Sequence, residues 1–145
     1  MRRTTGKFRG KEKQYPNRWI YGFYFEENGA SFIWTKGQKS NRMWPIQVFP
    51  ETVGEFVGFA DIVEHDVHEG DIIQLDGAPE LGARVVVFYE EAFCLATYQE
   101  YLSLQKGDHP YMNDYAHMTC LNEWSHTGLV RVIGNIYDNK ELLNK

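Results

Sequence analysis

Residues 64–71 read EHDVHEGD. Six of these eight side chains, Glu64, His65, Asp66, His68, Glu69 and Asp71, are types that ligate metals or transfer protons. Converging carboxylates would hold a divalent cation, with Asp66, Glu69 and Asp71 as the set. A carboxylate beside an imidazole would make an acid–base pair. A second cluster, Asp108, His109, His117, Cys120 and His126, has the ligand types for zinc. Together the two clusters would suit a metal-dependent hydrolase.

Spacing weighs against both. His65 and His68 share a face only on a helix, and VEHDVHEG offers no apolar helical face. On a strand, alternation sends Val63, His65 and Val67 to one side and Glu64, Asp66 and His68 to the other. The stretch therefore reads as a solvated acidic turn, in which Gly70 supplies a backbone angle and Asp71 bonds nearby N–H groups. A structural zinc site shows two close ligand pairs, and His117-x-x-Cys120 supplies one. Cys120, near Met118 and Leu121, suits a small buried thiol. No Gly-x-Ser-x-Gly occurs, and Gly54-x-x-x-Gly58 lacks the Lys-Ser/Thr of a phosphate loop. No catalytic, cofactor-binding or metal-binding residue is assigned, and the chain is not expected to be an enzyme.

The elements around these residues are mostly strands. RWIYGFYF places Trp19, Tyr21, Phe23 and Phe25 on one side and Ile20, Gly22 and Tyr24 on the other. EENG then turns the chain into SFIWT, a hairpin. Residues 46–49, fenced by prolines, suit an edge strand. In ETVGEFVGF, Gly54 and Gly58 mark a bulge or bend. DIIQL is a strand. ARVVVFYE, with three consecutive valines, suits burial on both faces, and AFCLA pairs back on it after Glu90-Glu91. Thr97 and Glu100 form a capping-box pattern that opens a helix over 98–106, closed by Gly107. Residues 108–127 have no clear period. LVRVIG returns to strand, and Asp138 to Glu141 repeats the capping pattern at a terminal helical turn. The expected fold is mainly β, a small bent sheet or partly open barrel of short antiparallel strands.

Charge is unevenly spread over the 145 residues. Residues 1–13 carry six basic side chains and one acidic, and residues 51–91 carry eleven acidic and one basic. The first stretch reads as a flexible basic arm, leaving 14–145 as a single domain. Arg2, Arg3, Lys7 and Arg9, with Trp19 and Trp34, are the candidate interaction residues, which nucleic acid would use. Base-stacking sheet surfaces interleave aromatics with cations, however, and residues 19–34 contain no Lys or Arg. A core or subunit contact is therefore the preferred reading of those aromatics. Neither a signal segment nor a membrane-length apolar run is evident, so a cytoplasmic protein with Cys94 and Cys120 reduced is expected.

Four segments, WIYG, FPETVGEFVGF, HEGDIIQL and VIGNIYDNKELL, resemble in order and spacing the YopX family, proteins carried mainly by bacteriophages and integrated mobile elements. The link DIVEHDVH departs from the family pattern in having no glycine before Gly70. The resemblance implies a phage-like origin and an oligomer-forming habit, and carries no activity or catalytic residue. Gly54, Gly58, Gly70, Asp71, Gly134 and Asn135 lie in the shared motifs and are expected to be structural. The resulting expectation is a non-enzymatic accessory or interaction module that self-associates, with an unidentified protein partner. A nucleic-acid-associated factor is the alternative, and the hydrolase a second one.

Overall fold

The computed structural model describes residues 7–36, 42–107 and 119–144. Its contacts divide the chain into two compact units, Met1–Phe56 and Val57–Lys145, where one domain was expected. The protein is mainly β, with two antiparallel sheets, neither closed into a barrel.

In the first unit, β1 (Phe8–Lys11), β2 (Trp19–Glu27), β3 (Ala30–Lys36) and β4 (Met43–Val48) lie side by side in chain order. The expected hairpin joins β2 to β3, with Asn28 (φ +52°) and Gly29 (φ +80°) at its turn. The edge strand begins earlier than expected and contains Pro45, opposite Trp34. Past β1, Glu12 bridges Val48, and the Lys13 N–H donates to the Gln47 carbonyl at 2.9 Å. The sheet is thus strongly bent, and this pairing covers part of an edge that would otherwise be bare. Its inner face packs Phe8, Ile20, Ile33 and Val48.

For residues 7–13 the expectation of a flexible arm is corrected. Phe8 is fully buried, and Arg9 and Gly10 are buried beside it. One phenylalanine at the right register is enough to anchor a basic strand, because strand pairing satisfies its backbone and burying Phe8 contributes about 2 kcal/mol. β5 (Gly54–Ala60) pairs with β1 on its other side, Phe8 opposite Glu55 and Arg9 opposite Gly54. It then continues into the second unit, where β6 (Asp66–His68) lies beside it.

The second unit holds β7 (Asp71–Leu75), β8 (Arg84–Tyr89), β9 (Ala92–Ala96), α1 (Tyr98–Gln105), β10 (Thr119–Cys120), α2 (Leu121–Ser125) and β11 (Val130–Asn135). Its sheet runs β10-β9-β8-β7-β11. Both faces are covered, which explains the unbroken apolar run Val85–Phe88 of β8. Ile73, Leu75, Val86, Leu95 and Val130 face one way and pack with Val67, Leu121 and Trp124. Ile72, Val85, Cys94 and Ala96 face the other and pack with Tyr101 and Leu143. The helix near residue 98 has its capping box: the Glu100 N–H donates to Thr97 Oγ1 at 3.2 Å and the Thr97 N–H to Glu100 Oε1 at 2.8 Å. The terminal helical turn is a 3-10 turn over Lys140–Asn144. No helix among the described residues is long and apolar enough to cross a membrane.

Candidate functional site

The EHDVHEGD stretch is held from outside itself, by Asp61. This carboxylate is only 7% exposed. Its Oδ1 accepts from the Val63 N–H at 3.0 Å and the His65 N–H at 2.9 Å. Its Oδ2 accepts from the Val132 N–H on β11 at 2.9 Å. Burial alone would raise its pKa, but the N–H groups of Val132, His65 and Val63, with the nearby His65, outweigh it and lower the value from 3.8. Its three N–H partners make this carboxylate an organiser of the turn. Glu64 takes φ +67° at the turn this carboxylate pins.

Downstream, the Asp71 Oδ2 accepts from the His68 N–H at 2.7 Å, the local role expected of it. Asp71 is 2% exposed and His68 4%, while His65 and Asp66 are exposed. The alternation expected across this stretch therefore fails at its end, because Val67 and His68 are both buried. Gly70 has φ +93°, and a Cβ there would lie 3.0 Å from Tyr137 Cε2. The ligand types are thus distributed over a turn, a strand and the sheet interior. Among the described residues, no three His, Cys, Asp or Glu side chains form a group that could hold a metal ion.

The other family-like positions serve the backbone. Gly134 is approached so closely by Asn139 that a Cβ would stand 2.7 Å from Asn139 Oδ1. Asn135 Oδ1 accepts from the N–H groups of Tyr137 (3.0 Å) and Asp138 (2.9 Å), and so fixes the turn after β11. Gly54 faces Arg9 across the β1–β5 ladder, and Gly58 bends β5 with φ +103°. In the second ligand cluster, Asp108, His109 and His117 lie outside the described residues. Cys120 stands on β10, and His126 Nε2 is 3.0 Å from Asn122 Oδ1 just past α2.

The exposed surface of the first unit has a different character. Facing pairs in its ladders are Arg9 with Tyr21, Lys11 with Trp19, Phe23 with Trp34, Phe25 with Phe32, and Lys36 with Met43. Paired residues share a side of the sheet, so all these groups lie on the outer face. Tyr21 (53% exposed), Phe23 (55%), Met43 (40%) and Trp34 (39%) stand out from it. Phe25 stacks between neighbours, its ring 5.2 Å from Phe32 and 5.7 Å from Trp34.

The cations gather at one end of this face. The Arg9 guanidinium lies 4.6 Å from the Trp19 ring centroid, and Lys11 Nζ lies 5.5 Å from it. Lys7 Nζ is 5.8 Å from the Phe56 ring. Of the candidate interaction residues, Trp34 and Lys7 are exposed, Trp19 is half-buried, and Arg9 is buried at 6% exposure. Arg2 and Arg3 lie outside the described residues. Sequence reasoning missed Lys11, because cross-strand pairing brings it to Trp19 from a different segment, and it missed the exposure of Tyr21, Phe23 and Met43.

No curated protein matches the chain. The family model described as YopX protein matches residues 7–144, nearly the whole sequence, which agrees with the likeness read from WIYG, FPETVGEFVGF, HEGDIIQL and VIGNIYDNKELL. The chain belongs to the YopX family.

Proposed function

We propose that this protein is a non-enzymatic interaction module that self-associates. In this reading the aromatic sheet face of one copy docks on the acidic second unit of another copy. The observation that carries it is the continuous outer face of Tyr21, Phe23, Trp34 and Met43, apolar at its centre and basic at its margin. Residues 1–56 carry ten basic and five acidic side chains, a net of +5, and residues 57–145 carry five and fifteen, a net of −10. A face of one sign and a partner surface of the other steer copies into head-to-tail contact. Engagement of the Asp61 and Asp71 carboxylates by backbone N–H groups supports the absence of catalysis. Such a module would serve a phage or integrated element as an accessory factor in the bacterial cytoplasm, free of membrane and cofactor, with further protein partners open to it.

Native mass spectrometry and light scattering test this directly. The wild type is expected to be oligomeric at roughly 0.05 M salt and to weaken at roughly 0.5 M. Phe23→Ser with Trp34→Ser should give monomers that remain folded by circular dichroism, because both side chains lie outside the buried core. A monomeric wild type, or an oligomer indifferent to the double variant, would overturn the reading.

A second reading has its own observation. β1 brings Arg9 and Lys11 onto the ring of Trp19, so aromatics and cations share a face as single-stranded nucleic-acid platforms require. It ranks lower because the Trp19 ring already carries those cations. Deleting residues 1–13 would remove β1. The discriminating change is therefore Arg2→Ala, Arg3→Ala and Lys11→Ala together, which should abolish salt-sensitive oligonucleotide binding if this reading holds.

A further inference from the structure

Cys94 and Cys120 stand directly opposite each other on the antiparallel strands β9 and β10. Facing residues of an antiparallel pair have Cα atoms about 4.5–5.5 Å apart. A disulfide needs about 4.4–6.8 Å. Their side chains also emerge on the same side of the sheet. Both are free thiols, and they are the only cysteines of the chain. Nothing in their sequence spacing announces a pair; the short β10 creates it.

We propose that Cys94 and Cys120 form a thiol–disulfide site that reacts with a small-molecule disulfide and closes to an intramolecular bridge between β9 and β10. The two thiols have unequal roles. Cys120 is half-exposed on β10, the edge strand of the sheet. Cys94 is 6% exposed in the apolar packing around Ile72, Val85 and Tyr101. The Cys120 thiolate attacks the small disulfide, forming a mixed disulfide and expelling one small thiolate, which takes up the proton Cys120 lost. Cys94, on losing its proton to solvent, attacks Cys120 Sγ and expels the second small thiolate, which is protonated in turn. The two protein thiols are oxidised by two electrons and the small disulfide is reduced to two thiols, so atoms and electrons balance.

Burial pushes the Cys94 thiol up to about 11, and the neighbouring Cys120, Glu90 and Glu100 push the same way. The closing step is therefore slow at neutral pH, and the mixed disulfide on Cys120 is a transient that can be caught. Closure ties β10, and with it the start of α2, to the sheet. It joins strands that the reduced chain holds by a two-residue ladder.

The experiment incubates the full chain with oxidised glutathione, quenches with acid, alkylates, and reads intact and peptide masses over time. The expected result is a glutathione adduct on Cys120 that decays into a species about 2 Da lighter than the reduced chain, with the two cysteine peptides linked. The bridge should raise the melting temperature by about 10 °C over the reduced protein. Cys94→Ala should stop at a lasting adduct on Cys120, and Cys120→Ser should leave Cys94 unmodified in the folded protein. A lasting adduct on wild-type Cys120, a bridge between chains, or no reaction under oxidising conditions would each overturn the proposal. All three readouts use wild-type protein, so the outcome stands even if a variant fails to fold.

Discussion

Replacing Asp61 isolates one carboxylate that organises the link between β5 and β6 and ties it to β11. Its two oxygens accept three backbone N–H bonds of 2.9–3.0 Å, two inside the turn and one from Val132. A hydrogen bond to a charged group is worth roughly 1.5–3 kcal/mol, and a buried N–H left without a partner costs about 1–3 kcal/mol. The turn donors lie near the surface, where water can replace the carboxylate, so the sum is smaller than three such terms. Asp61→Ala should cost about 3–4 kcal/mol at pH 7, and Asp61→Asn about 2–3 kcal/mol because its amide NH2 confronts a donor. The pH dependence follows from the lowered pKa. The folded value lies below the unfolded one, so the stabilisation is present above about pH 4 and is lost as pH falls through the folded value. Urea melts followed by tryptophan fluorescence at pH 7 and near pH 3 would measure this. The gap between wild type and Asp61→Ala should narrow in acid. A cost below about 1 kcal/mol at pH 7, or a gap that does not change with pH, would refute the assignment of Asp61 as the organiser of this turn.

Two further changes probe the backbone. Gly70→Ala places a side chain at φ +93° and against Tyr137, and should cost about 1–3 kcal/mol in a thermal melt; unchanged thermal stability would show that the turn tolerates another conformation. Glu90 (φ +49°) and Glu91 (φ +66°) both occupy the left-handed region in the hairpin between β8 and β9, where Asn-Gly is the favoured pair. Replacing them with Asn-Gly should stabilise the protein by about 1 kcal/mol in urea, and a loss of stability would mean that the two carboxylates have a role beyond the turn.

Elements with a strong local signal were legible in the sequence. The β2–β3 hairpin follows from strict alternation and Asn28-Gly29, and the helix at 98–105 from Thr97 and Glu100. The valine run of β8 announces a strand buried on both faces. What failed to show were pairings between distant segments. β1 hides in a basic stretch because Phe8 is its one large apolar residue, and its burial depends on β2 and β5 arriving on either side. The EHDVHEGD segment looked self-contained, yet its shape depends on Asp61 and on Val132, far along the chain. Alternation could not foresee that both Val67 and His68 become buried, since that requires packing from other elements.

By itself, then, the sequence determined the β-rich character, the family, the principal strands and the opposed charges of the two halves, because period, turn chemistry and composition are local quantities. Only the tertiary structure decided that a basic segment is a central strand, that Lys11 meets Trp19, and that Cys94 faces Cys120. Each of these is a matter of register between strands distant in sequence. Register is set by which side chains can be buried together, and no window along the chain contains that information.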